Sequence, residues 1–222
     1  MADIEHNERK YPKLVLVGGG GHCRSVLSSI DRSKYADIVI VDYPENVGKR
    51  VDGILIAGTD DDLVKLHDGG YSEAFITVGS VSSNPKRHGI YESLKKIGFS
   101  FPSVIDDSAV IADSAEIDEG VFVGKNAVIN AGSRIGKFSI INTGAIADHD
   151  CIIGSFVHLS PGVVLSGAVT VGENTHIGTG SCVKQCVKIG EKSTVGMGSV
   201  VITDIPSNCV AYGVPCRVKE VL

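Results

Sequence analysis

Residues 135–158 read IGKFSI-INTGAI-ADHDCI-IGSFVH in blocks of six, and all four blocks begin with an aliphatic residue. The same phase runs from Ile105 to Val201, where 16 of 17 block-initial positions are Val, Ile or Leu. The exception is Ala147, which directly precedes Asp148-His149-Asp150. A six-residue period predicts a parallel β-helix, in which each block forms one short strand and the corner after it.

A second column lies four residues after the first and consists mostly of small or β-branched residues: Ala109, Ala115, Val121, Ala127, Ser133, Ser139, Ala145, Cys151, Val157, Val163, Val169, Thr175 and Ser181. Gly, Asp and Asn often follow the first column, and these residues tolerate tight corners. We expect both columns to point inward. Three blocks close one triangular coil, so the repeat predicts about five coils spaced by about 4.8 Å.

The first hundred residues show a different pattern, in which apolar strands alternate with helices. We expect strands at 13–17, 37–41, 54–56, 74–78 and 99–101, and helices at about 22–30, 60–67 and 85–97. This alternation predicts a parallel sheet covered on both faces. The chain therefore divides into a Rossmann-like α/β domain, residues 1–102, and a β-helix domain, residues 103–222. Residues 1–10 are polar, and we expect a mobile terminus.

Composition excludes several classes of function. The net charge is −5 and no basic run is present, so nucleic acid is not an expected partner. The sequence contains neither an 18-residue apolar stretch nor a signal peptide, which predicts a cytoplasmic protein without membrane contact. The six cysteines form no Cys-x-x-Cys pair, so we expect neither structural zinc nor disulfides, and we interpret Cys151 as a buried core thiol.

A glycine loop, Gly18–Gly21, follows the first strand and precedes the first helix. Nucleotides bind at this position in α/β folds, and Asp42 at the end of the second strand is placed to contact such a ligand. The dinucleotide pattern is incomplete, because Cys23 or Arg24 occupies the place of its third glycine. The loop is therefore compatible with a nucleotide or nucleotide-sugar site, with a dinucleotide site, or with a tight structural turn.

His149 has the residue type and the neighbours of a general base. Its ordinary pKa near 6.5 allows proton uptake at neutral pH. A carboxylate from Asp148 or Asp150, bonded to the other ring nitrogen, would fix the tautomer and raise the basicity. The alternative is that His149 is an ordinary surface residue on one face of the helix.

Gly20-Gly21-His22, His149-Asp150 and His158 within an unbroken hexapeptide array resemble the sugar O- and N-acyltransferases of the sialic-acid and bacillosamine type. The chain is most similar to N-acetyltransferases of UDP-4-amino-4,6-dideoxy sugars, from about Lys13 to Lys219. The resemblance implies a left-handed β-helix, a homotrimer, and direct acetyl transfer from acetyl-CoA to a nucleotide-linked amino sugar without a metal.

The resemblance also implies roles for individual residues. His149 would be the catalytic base and Asp150 its orienting acid. The residues implied for acetyl-CoA are His158, Gly167, Thr179 and Met197, and those implied for the sugar nucleotide are Gly20, Gly21, His22, Asp42, Tyr43 and Gly58. The N–H of Gly167 would face the thioester carbonyl, and Met197 replaces a glycine of the relatives.

Three other functions fit parts of the sequence. An O-acetyltransferase of sialic acid or a capsule sugar would use the same histidine on a hydroxyl group. A zinc enzyme resembling γ-class carbonic anhydrases would need His149, His158 and His176, whose spacing does not match that family. A scaffold protein would use the β-helix only for assembly. We interpret His176 itself as lying on a solvated face or at a trimer contact.

Overall fold

The computed structural model describes residues 11–79 and 85–221, so the mobile terminus expected at residues 1–10 lies outside the described chain. The α/β part contains β1 (Lys13–Val17), α1 (Gly21–Leu27), β2 (Asp37–Val41), β3 (Arg50–Val51), β4 (Ile54–Gly58), α2 (Leu63–Asp68), β5 (Tyr71–Ile76) and α3 (Pro85–Ile97). Three short 3-10 turns lie between them, at Arg32–Lys34, Pro44–Asn46 and Asp60–Asp62.

The five strands form one sheet in the order β3-β4-β2-β1-β5. The pairings of β1 with β2 and β5, and of β2 with β4, are parallel, whereas β3 and β4 form an antiparallel hairpin. The last four residues of both β1 and β2 are buried, as expected for central strands covered on both faces. The carboxyl ends of β1 and β2 therefore meet at one edge, where the glycine loop begins.

The strand expected at 99–101 is wrong, because only Ser100 pairs with the sheet, through a single bridge to Glu73. Gly98 before it adopts a positive φ of 108°, and Pro102 after it lacks an N–H donor. The segment leaves the sheet to enter the β-helix, and the Phe101 ring packs against Phe138 at 5.1 Å between ring centroids.

The β-helix consists of strands of two residues each, β6 to β22, which recur every six residues. They are Val104–Ile105, Val110–Ile111, Glu116–Ile117, Phe122–Val123, Val128–Ile129, Arg134–Ile135, Ile140–Ile141, Ile146–Ala147, Ile152–Ile153, His158–Leu159, Val164–Leu165, Thr170–Val171, His176–Ile177, Cys182–Val183, Lys188–Ile189, Thr194–Val195 and Val200–Val201. Two longer strands, β23 (Cys209–Tyr212) and β24 (Arg217–Val221), form an antiparallel hairpin at the end. The predicted fold class, an α/β domain followed by a parallel β-helix, is confirmed.

Both predicted columns lie inside the prism. Every member of the large column from Val123 to Val201 is buried, and Cys151 is a buried free thiol, as expected. The large column is more exposed at its start, where Ile105 is 40% exposed. This difference follows from position, because the first coil has no coil below it.

The strands build three faces, which we name by what lies on their outer side. The covered face carries β6, β9, β12, β15, β18 and β21; the apolar face carries β7, β10, β13, β16, β19 and β22; the polar face carries β8, β11, β14, β17 and β20. Three edges join them. The His149 edge joins the apolar and polar faces, the Phe156 edge joins the polar and covered faces, and the Met197 edge joins the covered and apolar faces.

The α/β domain packs on the covered face and the Phe156 edge. Phe122 and Ile140 point outward from the covered face and lie in one buried cluster with β1 and α1. Phe156 lies in a second cluster with α3. Lys125 adds a polar bridge, since its Nζ lies 2.7 Å from a carboxylate oxygen of Asp106 and 3.0 Å from the carbonyl of Ser28, just after α1. The position of α1, and of the glycine loop before it, is thus fixed relative to the β-helix.

Candidate active site

His149 lies at the corner between β13 and β14, with 54% of its side chain exposed. Its Nδ1 lies 2.9 Å from a carboxylate oxygen of Asp150. Adjacent strand residues point to opposite faces, but Asp150 has a φ of +60°, and this left-handed corner brings its carboxylate to the neighbouring ring. The Asp148 carboxylate instead accepts a hydrogen bond from the His149 backbone N–H, at 2.8 Å, and one from Asn130.

The hydrogen bond to Asp150 raises the pKa of His149 above its ordinary value of 6.5, and the charges of Asp148 and Asp150 act in the same direction. Because Asp150 contacts Nδ1, a neutral His149 carries its proton on Nδ1 and presents the lone pair of Nε2. This arrangement is that of an oriented general base.

Gly167 lies on the same edge, one coil from His149. A Cβ on this glycine would overlap the His149 ring at Nε2 and Cε1, so the absence of a side chain leaves room for the imidazole. The carbonyl of Gly167 accepts a bond from the Cys186 N–H, whereas the Gly167 N–H meets no acceptor among the described residues. Gly167 therefore brings a backbone N–H without a described acceptor to the edge that carries the His149 ring.

A cavity of about 630 Å³ opens where the carboxyl ends of β1 and β2 meet. Its walls contain the expected Gly20, Gly21, His22, Asp42 and Tyr43. Gly58 does not line this cavity. Its carbonyl accepts a hydrogen bond from the Asp42 N–H, at 3.1 Å, and so helps to position the backbone of Asp42 in the cavity wall.

Lys86 of α3 also lines the cavity, and no motif in the sequence pointed to it. Its Nζ donates a hydrogen bond to the hydroxyl of Tyr43, at 2.7 Å, and lies 4.6 Å from the centroid of the Tyr43 ring. An ammonium group beside a glycine loop is suited to a phosphate group.

A column of outward side chains runs along the covered face through Phe122, Ile140, His158 and His176, which are in register. The solvated-face alternative for His176 is wrong, because this side chain is buried on the covered face, whereas the trimer-contact alternative stays a prediction. The rings of His158 and His176 lie 5.0 Å apart. His158 also meets Asn142, whose Nδ2 lies 3.1 Å from its Nε2. Asn142 was missed because it looks like an ordinary corner residue.

The residues expected to hold acetyl-CoA do not converge within one chain. Gly167 lies on the His149 edge, Thr179 and Met197 lie on the Met197 edge, and His158 lies on the covered face. Met197 is 77% exposed. Within residues 11–79 and 85–221, no group of three or more His, Cys, Asp or Glu side chains is arranged to hold a metal ion. No described helix is long and apolar enough to cross a membrane.

Comparisons with known proteins agree with this architecture. Residues 13–94 match the PglD N-terminal domain, and residues 168–203 match the hexapeptide repeat of succinyl-transferase. A variant of perosamine N-acetyltransferase from Caulobacter crescentus, solved with CoA and GDP-perosamine, is 38% identical with a TM-score of 0.88, over 94% of this chain and 97% of that one. No curated protein sequence matches the chain.

Two further structures are similar over nearly their whole length. The acetyltransferase domain of PglB from Neisseria gonorrhoeae FA1090, in complex with acetyl coenzyme A, is 35% identical with a TM-score of 0.86, over 93% of this chain and 98% of that one. WeeI from Acinetobacter baumannii AYE is 24% identical with a TM-score of 0.82, over 93% and 99%, and supports the fold alone.

The fold and these likenesses define a class of hexapeptide-repeat acyltransferases with a Rossmann-like first domain. The chain belongs to the family of acetyl-CoA-dependent sugar N-acetyltransferases that join a PglD-type N-terminal domain to a hexapeptide β-helix. Membership of this family favours the acetyltransferase interpretation over the zinc-enzyme and scaffold alternatives.

Proposed function

We propose that the protein transfers an acetyl group from acetyl-CoA to the amine of a nucleotide-linked amino sugar, with His149 as the general base. The observation that carries this proposal is the arrangement of His149, Asp150 and Gly167, in which an oriented imidazole and a free backbone N–H share one edge. The cavity below the glycine loop would hold the nucleotide, with Lys86 near its phosphates.

The chemistry needs only groups on this edge and the two substrates. The neutral amine attacks the thioester carbonyl, and its proton passes to Nε2 of His149. The Gly167 N–H stabilises the oxyanion, and such a donor contributes on the order of 3 kcal/mol. Collapse of the intermediate breaks the C–S bond, and the leaving CoA thiolate takes the proton from His149. No acyl-enzyme forms, so the cysteines take no part.

The proposal also extends to the identity of the nucleotide in the acceptor substrate. We expect a UDP-4-amino-4,6-dideoxy sugar, which the sequence resemblance favours. A GDP-linked amino sugar is the second candidate, because the perosamine N-acetyltransferase was solved with GDP-perosamine. Both candidates need the same cavity and the same base, so the choice depends on contacts to the nucleobase.

The two halves of this site lie on different sides of one chain. The α/β domain with its cavity covers one face, whereas His149 lies on the opposite edge of the triangular prism. A substrate in the cavity therefore cannot meet the His149 of its own chain. We propose a homotrimer in which the cavity of one chain faces the His149 edge of the next.

The apolar face supports this assembly. Its outward residues are Val110, Val128, Ile146, Val164, Cys182 and Val200, and none of them is buried. The polar face presents three charged residues, Glu116, Arg134 and Lys188, and only one exposed aliphatic residue among its described strands, Ile152. Exposed apolar stripes of this kind favour self-association. If three apolar faces surround one axis, the His149 edge of each chain meets the Met197 edge of its neighbour, which also unites Gly167 with Thr179 and Met197.

The first experiment measures CoA-thiol release from acetyl-CoA with a panel of acceptors. The panel holds UDP- and GDP-linked 4-amino sugars, CMP-sialic acid, free sialic acid and free amino sugars. We expect release only with a 4-amino nucleotide sugar, and a loss of about 10²- to 10⁴-fold in His149→Ala. Release with hydroxyl acceptors alone would identify an O-acetyltransferase. Near wild-type turnover in His149→Ala would remove His149 as the base.

A second experiment tests whether each site is shared between chains. His149→Ala removes the base, and Gly20→Phe fills the cavity, since a Cβ at Gly20 meets no described atom within 4 Å and the larger ring can project inward. Each variant alone should be inactive. Co-expressed in equal amounts, they should recover about one quarter of the wild-type rate, because each site draws its two halves at random. No recovery in mixed trimers would show that both halves come from one chain.

A further inference from the structure

Gly132 lies one coil before Asp150 on the His149 edge, and the Asp150 carboxylate occupies the space where a side chain of residue 132 would stand. A Cβ on Gly132 would lie 2.6 Å from Oδ1 of Asp150, whereas ordinary van der Waals contact begins at 3.4 Å. The other oxygen of this carboxylate, Oδ2, lies 2.9 Å from Nδ1 of His149. One carboxylate therefore fills the space left by Gly132 and contacts the His149 ring at the same time.

The backbone conformation at Gly132 does not by itself require a glycine. Gly132 has a φ of +70°, and the equivalent corner positions of the following coils, Asp150, Ala168 and Cys186, have φ values of +60°, +56° and +61°. A Cβ is strained in this left-handed region, but the fold accepts one at each of these other corners. We therefore attribute the glycine at position 132 to the carboxylate that lies over it.

Hydrogen bonds on both sides of Gly132 hold its corner against the corner of His149. The Asp150 N–H donates to the carbonyl of Ala131, at 2.9 Å. On the other side, the Ser133 hydroxyl donates to the carbonyl of Asp148, at 2.7 Å. The two corners cannot separate to admit a Cβ without losing these bonds, so the carboxylate must turn instead. Because the Asp150 side chain is 67% exposed, it has solvent to turn into.

We propose that Gly132 is a positioning residue for the general base: the space left by its missing side chain holds the Asp150 carboxylate against Nδ1 of His149. Gly167, one coil on the other side, leaves room for the imidazole. Each member of the His149–Asp150 pair therefore has a glycine in a neighbouring coil. That the pair serves acetyl transfer rests on the proposed function; its orientation does not.

The charged groups that act on His149 within the described chain are Asp148 and Asp150. The largest cause of the raised pKa of His149 is the hydrogen bond to Asp150. The residues that stack on this corner from the two neighbouring coils are uncharged: Ala131, Gly132, Gly167 and Ala168. Displacement of the Asp150 carboxylate should therefore lower the pKa of His149, since its protonated ring loses the main group that stabilises it.

The test is the titration of His149 in the substrate-free protein, followed by NMR of its ring and assigned by the loss of its signals in His149→Gln. In Gly132→Ala the pKa of His149 should be lower than in the wild type and approach that in Asp150→Ala. Gly70→Ala is the matched control, because Gly70 has a φ of +91° and a Cβ there meets no described atom within 4 Å. It shares the strain of a left-handed alanine and should leave the pKa of His149 unchanged.

Kinetics add a double-mutant cycle. Gly132→Ala should lower kcat/KM about tenfold, because the imidazole is less well oriented. In an Asp150→Ala background, the same substitution should change kcat/KM by less than about twofold, because its effect passes through the carboxylate. A defect of the fold alone would multiply the two losses.

Two results would overturn the proposal. One is a folded Gly132→Ala protein in which the pKa of His149 equals that of the wild type. The other is an equal loss of kcat/KM from Gly132→Ala with and without the Asp150 carboxylate.

If Gly132→Ala does not fold, Gly132→Asn decides. Asparagine adopts the left-handed region more readily, as Asn126 and Asn174 do in this chain, and still places a Cβ against the carboxylate. A wild-type pKa of His149 in this variant would equally contradict the proposal. Because the titration needs no substrate, an absence of acetyl transfer would refute the proposed function without touching this result.

Discussion

His149 and His22 occupy opposite environments in the same chain. His149 is 54% exposed and bonded to Asp150, which raises its pKa, whereas burial lowers the pKa of His22 to about 3. Pairs of titratable groups whose surroundings move their pKa values apart mark different chemical roles. The comparison indicates that His149 is suited to take up a proton and His22 to remain neutral.

The two histidines also differ in what completes their surroundings. His22 packs on Phe122 where α1 meets the covered face, and we call this contact the seam; it is formed within one chain. The His149 edge is open and has no α/β domain over it. We therefore expect substitutions at His149 and its neighbours to change turnover with little effect on folding, and substitutions at the seam to change binding and stability together.

Among substitutions that leave His149 itself in place, the largest effect is expected from Gly167→Ala. The added Cβ overlaps the His149 ring, so the ring must turn away from Asp150 or from the substrate. We predict a fall in kcat on the order of 10²-fold, as for the loss of an oriented catalytic group, with little change in melting temperature. Steady-state kinetics and thermal unfolding measure the two quantities.

Gly89→Ala is the matched control for this prediction. Gly89 lies in α3, and a Cβ there meets no described atom within 4 Å. Alanine in a helix is favoured over glycine by up to about 1 kcal/mol, so this variant should be active and slightly more stable. Equal activity of both glycine variants would mean that Gly167 and His149 do not act together.

A smaller effect is expected from Asp150→Asn, which weakens the main cause of the raised pKa of His149. Protonated His149 cannot act as a base, so kcat/KM rises with pH through the pKa of this residue. The rising, acidic side of the wild-type plot of kcat/KM against pH should therefore lie above pH 6.5. In Asp150→Asn it should move to lower pH. We also expect a lower plateau, by about 10- to 100-fold, because a less oriented imidazole is a weaker base.

Asp148→Asn separates this effect from a general loss of negative charge. Asp148 binds the backbone N–H of His149 and does not touch the ring. Its charge contributes less to the raised pKa than the hydrogen bond to Asp150 does. The acidic side of the plot of kcat/KM against pH should therefore move less than in Asp150→Asn. An equal displacement in both variants would show that charge alone, without the hydrogen bond, sets the pKa.

The sequence predicts the β-helix well because one period decides it. Each hexapeptide repeats the same local choice of a large inward residue and a tight corner, so errors do not accumulate along 97 residues. The glycine loop and its cavity follow similarly from the order of strands and helices. The strand expected at Phe99–Phe101 failed because those apolar residues pack between the two domains, which no local pattern reveals.

The environments of the histidines could not be predicted in the same way. The burial of His176 depends on its packing against neighbouring coils, with the His158 ring 5.0 Å away. The edge-on contact of His22 with Phe122 joins residues that are 100 positions apart, on α1 and on β9. The contact of His149 with Asp150 needed the left-handed corner at Asp150, although the pairing of the residues could be expected from their order.

The smallest effect on catalysis is expected from substitution of Lys125, whose Nζ bridges the end of α1 and Asp106 beside the seam. Burial alone would raise the pKa of Asp106, but hydrogen bonds from Lys125 and Ser108 hold it well below its usual range. A carboxyl whose pKa is lowered by folding stabilises the folded state at any pH above its ordinary pKa. This stabilisation is lost as the pH falls from the ordinary pKa through the lowered one. Lys125→Met leaves the buried Asp106 with fewer partners and frees the carbonyl of Ser28 after α1.

We predict a loss of about 1–3 kcal/mol in the free energy of unfolding for Lys125→Met at neutral pH, with a rise of a few fold in the KM for the sugar nucleotide. The change in kcat should be within about twofold, because His149 lies on the far edge of the prism. Denaturant unfolding and steady-state kinetics provide both measurements. If Lys125→Met lowered kcat as strongly as Gly167→Ala, the two regions would be coupled, and the separation between a binding seam and a catalytic edge would be wrong.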